Sequence, residues 1–229
     1  MGGCLLLLLF AMTRRTWDFG RFWETLTFFE AIPVINWIQT MFYGSAPPPP
    51  QPQADIIFDF AQPDLAIQQI WGAVDDVVMG GVSASGIQLE TSYAVFSGLV
   101  STENNGGFAS VRTRNFEPPL DLSGKQGITV RLKGDGQRYK FFIRDESSWD
   151  GIAFAYSFDT VKNQWIDVRI PFDKLIAVRR AKTLRGEAVN TAQVRAFQFM
   201  LSKFEYDSQL NPHFSPGPFR LEVSKISVF

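Results

Sequence analysis

Ile128-Thr129-Val130-Arg131-Leu132-Lys133, closed by Gly134-Asp135-Gly136, decides the fold class. Apolar and polar residues alternate strictly, so successive side chains point to opposite faces, as in a strand with one buried and one wetter side. The same alternation returns in Ile152, Phe154, Tyr156 and Phe158, in Ile166, Val168 and Ile170, in Phe197, Phe199 and Leu201, and in Phe219, Leu221 and Val223. Ser85-Gly86, Asn104-Asn105-Gly106-Gly107 and Ser215-Pro216-Gly217-Pro218 supply further turn signals between runs. Short strands in this number, with almost no helical pattern beyond Asp55, predict an all-β domain over residues 55–229: a two-sheet jelly-roll β-sandwich rather than a small barrel. Inside it, residues 174–193 carry Arg179, Arg180, Lys182 and Arg185 and read as a long exposed basic loop with a helical turn near 190–194.

Before residue 55 the period changes. Phe22, Leu26 and Phe29, then Val34, Trp37, Ile38 and Met41, recur at helical spacing across residues 17–43, with Pro33 set to kink or divide the helix. Residues 1–45 therefore read as an aromatic-rich helical anchor segment. Ala46-Pro-Pro-Pro-Pro-Gln-Pro-Gln53 lies in a stiff linker, residues 46–54, that separates it from the sandwich. Trp and Phe at this density suit a water–lipid boundary, so membrane surface or membrane-protein contact through residues 17–43 is one reading and docking on the chain's own domain the other. The run Leu5 to Leu9 is too short to span a bilayer. No basic residue precedes it, and Arg14 and Arg15 stand where a small-residue cleavage site belongs, which argues against secretion. Gly2 fits a myristoylation site but Leu6 does not, and Met12 is an alternative start.

Composition narrows the function. The 229 residues are 45% hydrophobic, enough for a sizeable core, and 22 Phe with 6 Trp and 5 Tyr bring the aromatics to 14%. A formal net charge of −1 argues against nucleic acid as the main partner, since phosphate-backbone affinity needs a basic surface. The single cysteine, Cys4, forms no intrachain disulfide, and with a single histidine, His213, no Cys/His zinc site can be built. No nucleophile with its base, phosphate loop or cofactor motif is present, so no cofactor and no small-molecule substrate is expected.

The distinctive polar stretch is Val74-Asp-Asp-Val-Val-Met-Gly-Gly-Val-Ser83, read as strand, tight turn, strand. Asp75 and Asp76 alone are too few for Ca²⁺, which takes about six to eight oxygens. The plainer expectation is that one caps the Gly80-Gly81 turn while the other pairs with an arginine. Arg112, Arg131, Arg138 and Arg144 lie on successive strands and are expected to share a face, paired with Asp75, Asp76, Asp135 or Asp145, or turned toward a carboxylate-rich partner. Asn104-Asn105-Gly106-Gly107 and Gly134-Asp135-Gly136 read as hairpin turns with positive φ. His213 reads as an exposed loop residue, Trp149 as core and Trp165 as rim. The candidate partner or ligand surface is Asp75, Asp76, Asn104, Asn105, Arg112, Asp135, Arg138 and Trp149; no catalytic or metal-binding residue is assigned.

Taken in order, Trp71 with residues 75–83, Asn104-Asn105-Gly106-Gly107-Phe108-Ala109-Ser110-Val111-Arg112, Asp121-Leu122-Ser123, Gly134-Asp135-Gly136-Gln137-Arg138-Tyr139, Trp165 with Ile170-Pro171-Phe172, and Pro216-Gly217-Pro218-Phe219 resemble the complex I intermediate-associated protein 30 family across residues 55–229. The resemblance implies a galactose-binding-like β-sandwich and a non-enzymatic role in assembling a membrane-bound electron-transfer complex, respiratory or NDH-type complex I or a photosystem. The implied partners are its subunits or assembly intermediates. Residues 1–44 hold Arg14, Arg15 and Arg21 against Asp18, Glu24 and Glu30, unlike a mitochondrial leader. The chain thus looks more like a cyanobacterial member, associated with the cytoplasmic face of a thylakoid or plasma membrane. The alternative function is a carbohydrate-binding module of jelly-roll type, with Trp149 and Asn104-Asn105 as its loops.

Overall fold

The computed structural model describes residues 16–29, 55–62 and 65–229. The linker at 46–54, and Pro33, Val34, Trp37, Ile38 and Met41 of the expected helix, lie outside the described residues.

Two antiparallel sheets face each other. One contains β3 (Ala84–Leu89), β4 (Ala94–Val100), β13 (Gly217–Val228), β6 (Gly127–Lys133) and β9 (Trp165–Pro171) in that order, with β1 (Ile56–Asp59) also paired to β13. The other, of seven strands, runs β11 (Lys182–Thr183), β10 (Ile176–Arg179), β8 (Ala153–Asp159), β7 (Arg138–Arg144), β12 (Ala196–Ser202), β5 (Phe108–Thr113), β2 (Trp71–Ala73). The alternating residues behave as their pattern dictates: Ile128, Val130 and Leu132 of β6 and Phe197, Phe199 and Leu201 of β12 all enter the core between the sheets. Much of the phenylalanine excess is here. Phe58, Phe60, Trp71, Phe116, Phe141, Phe197 and Phe199 form one aromatic cluster, and Phe96, Tyr139, Phe158 and Phe219 another. Burying each ring contributes roughly 1.5–3 kcal/mol of transfer free energy.

The 12-residue β13 is shared. Its first half pairs with β4 on one side and its second half with β1, while β6 lines the other edge from Glu222 to Val228 with a register shift between Val223 and Lys225. Among the described residues there are two α-helices: α1 (Phe19–Phe28) and α2 (Leu65–Ile70).

Three expectations are corrected. Residues 174–193 are no uniform loop: β10 and β11 cross them, although the helical turn does occur, at Thr191–Gln193. The turn at Asn104-Asn105-Gly106-Gly107 has the expected positive φ at Asn104, Asn105 and Gly107, and the one at Gly134-Asp135-Gly136 at Gly136. Yet both carry the chain from one sheet to the other, β4 to β5 and β6 to β7, so neither is a hairpin. Turn chemistry encodes reversal of the chain, not which sheet receives it. Trp149 is not core; it sits in the β7–β8 loop and packs against Phe29 and Arg112. Trp165 does occupy the rim, against Tyr93 and Lys133.

Candidate functional site

The site is where α1 meets the edge strand β2. Asp18 caps the helix by accepting from the Arg21 N–H at 3.2 Å. Arg21, Thr25 and Phe28, spaced three or four apart, then face one way. A sheet edge offers unpaired backbone groups, and α1 with the preceding Trp17 meets this edge and the turn that follows it with side-chain donors. Trp17 Nε1 donates to the Val77 carbonyl at 2.8 Å, Arg21 Nη1 to the Ser83 carbonyl at 2.7 Å, and Thr25 Oγ1 approaches the Ala73 carbonyl at 3.4 Å. Phe28 lies over Gly72, where any Cβ would collide with its ring, and under the Arg114 guanidinium, 4.1 Å from the ring centroid.

Beneath the helix lies the acidic pair. After β2 the chain makes one 3-10 turn, Asp76–Met79, and leaves through Gly80 at φ 90. Asp75 is 1% exposed: Arg21 Nη2 donates to it at 2.6 Å, Ser85 Oγ at 2.5 Å, Ser85 N–H at 2.8 Å and Ser110 N–H at 3.0 Å. Burial nonetheless pushes its carboxyl above the usual range, against those donors. Asp76, at 0% exposure, accepts from Ser83 N–H (2.9 Å), Ser83 Oγ (2.6 Å), Gly107 N–H (2.8 Å) and Phe108 N–H (3.3 Å). Its carboxylate fills a slot between Gly81 and Gly106, whose absent side chains make the approach possible.

The acidic pair is therefore no partner surface, and the expectation that it was is corrected. Adjacent carboxylates diverge: Asp75 gathers backbone donors from Ser85 of β3 and Ser110 of β5, Asp76 from Ser83, Gly107 and Phe108, and the buried pair ties the β2–β3 turn to β5 and its preceding loop. The arginine that answers Asp75 is Arg21, from a helix absent from the expected network; alternation along β2–β5 gives no sign of it. Arg112, Arg138 and Arg144 do share a face, the outer one of the seven-stranded sheet. Arg131 does not: it lies on β6 of the other sheet, bonded to Asp167 at 3.1 Å. Arg138 pairs with Asp159 (2.8 Å) and Glu205 (2.9 Å), not with Asp135. Asp135 instead accepts from Tyr139 Oη at 3.0 Å and from the Arg220 N–H at 3.1 Å. Asn104 and Asn105 are exposed at the loop tip. His213 is exposed as expected, with Nδ1 2.8 Å from Asp159.

On the same outer face Lys140 is buried, donating to the carbonyls of Phe204 and Glu205 and lying 4.7 Å from the Tyr206 ring centroid. Burial pushes its ammonium down to about 8, with Glu205 opposing and Arg138 assisting the shift. Ser157 Oγ donates to Glu205 and stands 3.1 Å from Tyr206 Oη. Among the described residues no group of three His, Cys, Asp or Glu is placed to hold a metal ion, and no helix is long and apolar enough to cross a membrane.

The other side of α1 faces solvent. Trp17, Phe19 (60% exposed) and Trp23 form a run of ring contacts, Trp17–Phe19 at 5.8 Å and Phe19–Trp23 at 6.4 Å. Met79 of the turn that α1 contacts is 69% exposed. Sequence spacing assigned Phe22 and Phe29 to one stripe; both are partly buried, leaving this second stripe outside.

Residues 58–223 match the family model described as Complex I intermediate-associated protein 30. The chain belongs to that family. The matched range spans the buried acidic pair, its two glycine walls and the outer sheet face, and begins after α1. An uncharacterized protein of Schizosaccharomyces pombe is 28% identical over 167 residues, covering 66% of this chain and 76% of that protein. Among solved structures, the family 11 carbohydrate-binding module of the cellulosomal cellulase Lic26A-Cel5E of Clostridium thermocellum aligns with a TM-score of 0.53 at 16% identity, over 78% of this chain and 96% of the module. The agarase AgWH50C aligns at 0.50 and 10% identity, over 75% of this chain and 24% of the agarase. At these identities the likeness establishes the shared jelly-roll sandwich alone.

Proposed function

We propose that this member of the Complex I intermediate-associated protein 30 family is a non-enzymatic assembly factor that binds an intermediate of a membrane-bound electron-transfer complex. The observation that carries the reading is the solvent-facing ridge of Trp17, Phe19 and Trp23 beside Met79. Exposed contiguous aromatics mark interaction surfaces, and these are held on a helix clamped to the sandwich. The family supplies the class of partner. Membrane association then follows from the partner, with residues 17–43 contributing lipid contact as the finer part of the proposal. The cytoplasmic face of a photosynthetic bacterium's membrane is a finer part of the proposal, and the similarity to a fission-yeast protein pulls against it.

A carbohydrate-binding role has the fold behind it, but the Trp149 ring expected to serve it is engaged by Phe29 at 5.6 Å and by the Arg112 guanidinium at 5.7 Å. The test is a crosslinking pull-down of the full chain from membranes, comparing wild type with Phe19→Ser/Trp23→Ser. Recovery of complex subunits by the wild type and their loss in the double variant is expected. Equal recovery by both proteins, or none by either, defeats the reading.

A further inference from the structure

Among the described residues, two arginines on the outer face of the seven-stranded sheet form no direct ion pair of the kind that buried guanidiniums normally require. Arg112 of β5 and Arg144 of β7 flank β12, where Gln198 stands opposite Arg112 and the small Ala196 opposite Arg144. Arg112 is 4% exposed; its Nη2 donates to Asn115 Oδ1 at 2.8 Å, and its Nε has no acceptor. Arg144 has a contact to the Gly151 carbonyl at 3.4 Å, and its buried Nε is likewise unmatched. Among the described residues neither forms a salt bridge. The acids nearest in effect, Glu146 and Asp150, are already engaged: Glu146 accepts from the Ile152 N–H and Asp150 from Arg180. Burial first, and then the Arg144 charge, work against the protonated form of Arg112. The rings of Phe29 and Trp149 roof the Arg112 guanidinium at 5.6 and 5.7 Å, and both are partly exposed, one ending a helix and the other in a loop.

We propose that Arg112 and Arg144 form a receptor for an oxyanion, a carboxylate or a phosphate, that accepts hydrogen bonds from their unmatched Nε–H groups beneath Phe29 and Trp149. An oxyanion brings several acceptor oxygens and the missing negative charge together, and charge-assisted bonds in a desolvated site are strong. The carboxylate could come from an acidic segment of a partner and the phosphate from solution; the proposal stands independently of the assembly role.

The full chain is titrated at constant ionic strength with inorganic phosphate and, separately, with a short glutamate-rich peptide, chloride being the reference, while tryptophan fluorescence is followed. A saturable change with at least one probe is expected, absent in Trp149→Phe and at least tenfold weaker in Arg144→Gln. Response to the peptide assigns the site to a polypeptide carboxylate, and response to phosphate alone to a free anion. Arg112→Gln risks misfolding, so Arg144→Gln is the deciding variant, its fold checked by circular dichroism. No saturable change with either probe in the wild type, or equal affinity in a folded Arg144→Gln, overturns the proposal.

Discussion

Arg21 and Asp75, 54 positions apart, meet at 2.6 Å, the guanidinium 29% exposed and the carboxylate wholly buried. The contact joins a helix that precedes the family's matched span to the centre of its acidic motif. Removing the cation leaves a buried charge short of one partner, which costs far more than breaking a surface pair.

Arg21→Met is accordingly expected to lower stability by about 2–3 kcal/mol at neutral pH. Asp75 is already pushed upward by burial, so its neutral form is favoured in the folded state relative to the unfolded one. Stability linked to that shift is present at low pH and lost as pH rises through the folded value. The gap between wild type and Arg21→Met should therefore shrink as pH falls toward the ordinary carboxylate range. Urea denaturation across that range reads it, and a gap independent of pH contradicts the account.

Asp76→Ala strands four donors, three of them backbone N–H groups. At about 1–3 kcal/mol for each buried donor left unmade, partly relieved by entering water, the expected loss is roughly 3–5 kcal/mol. A melting temperature within one or two degrees of wild type would show that the network is not needed.

The slot around Asp76 predicts a contrast between glycines. Gly81→Ala forces a methyl into the carboxylate and should cost about 1–3 kcal/mol, whereas Gly86→Ala, with open space around its Cβ and no positive φ, should be neutral or slightly stabilising. Paired thermal melts decide it.

Lys140 gives a pH signature of opposite sense. Its folded value of about 8 lies below the unfolded 10.5, so between the two the unfolded chain holds more protons and stability rises with pH. From pH 8 to 9.5 the wild type should gain on the order of 1–2 kcal/mol relative to Lys140→Met. The window closes near pH 10.5, where the lysine of the unfolded chain loses its own proton. Parallel denaturation curves for the two proteins across this window would refute it.

How much of this was legible beforehand varies with distance along the chain. Alternation in 128–133 and 197–201 identifies strands and their buried faces, because period two is a local property. The jelly-roll class follows from strand number and spacing. The positive φ of Asn104 and Gly136 follows from residue chemistry. The burial of Asp75 and Asp76 was not legible: acids are seldom fully interior, and the donors that make it tolerable come from Ser85, Gly107 and Ser110. Nor was the placement of Arg112 under Phe29, which depends on where a helix at the far end of the sequence comes to rest.

The shared strand has a consequence for biosynthesis. Residues 217–228 of β13 form the spine to which β4, β6 and β1 attach, yet they follow every other strand of the described residues in sequence. While the ribosome still holds residue 216, β1 has no strand to pair with, β6 has only β9 and β4 only β3. The earlier strands emerge with apolar faces uncovered, and closure of that sheet waits for the last strand to leave the exit tunnel. Such late, long-range pairing is slow. Until β13 arrives, those uncovered faces are open to other unfinished chains.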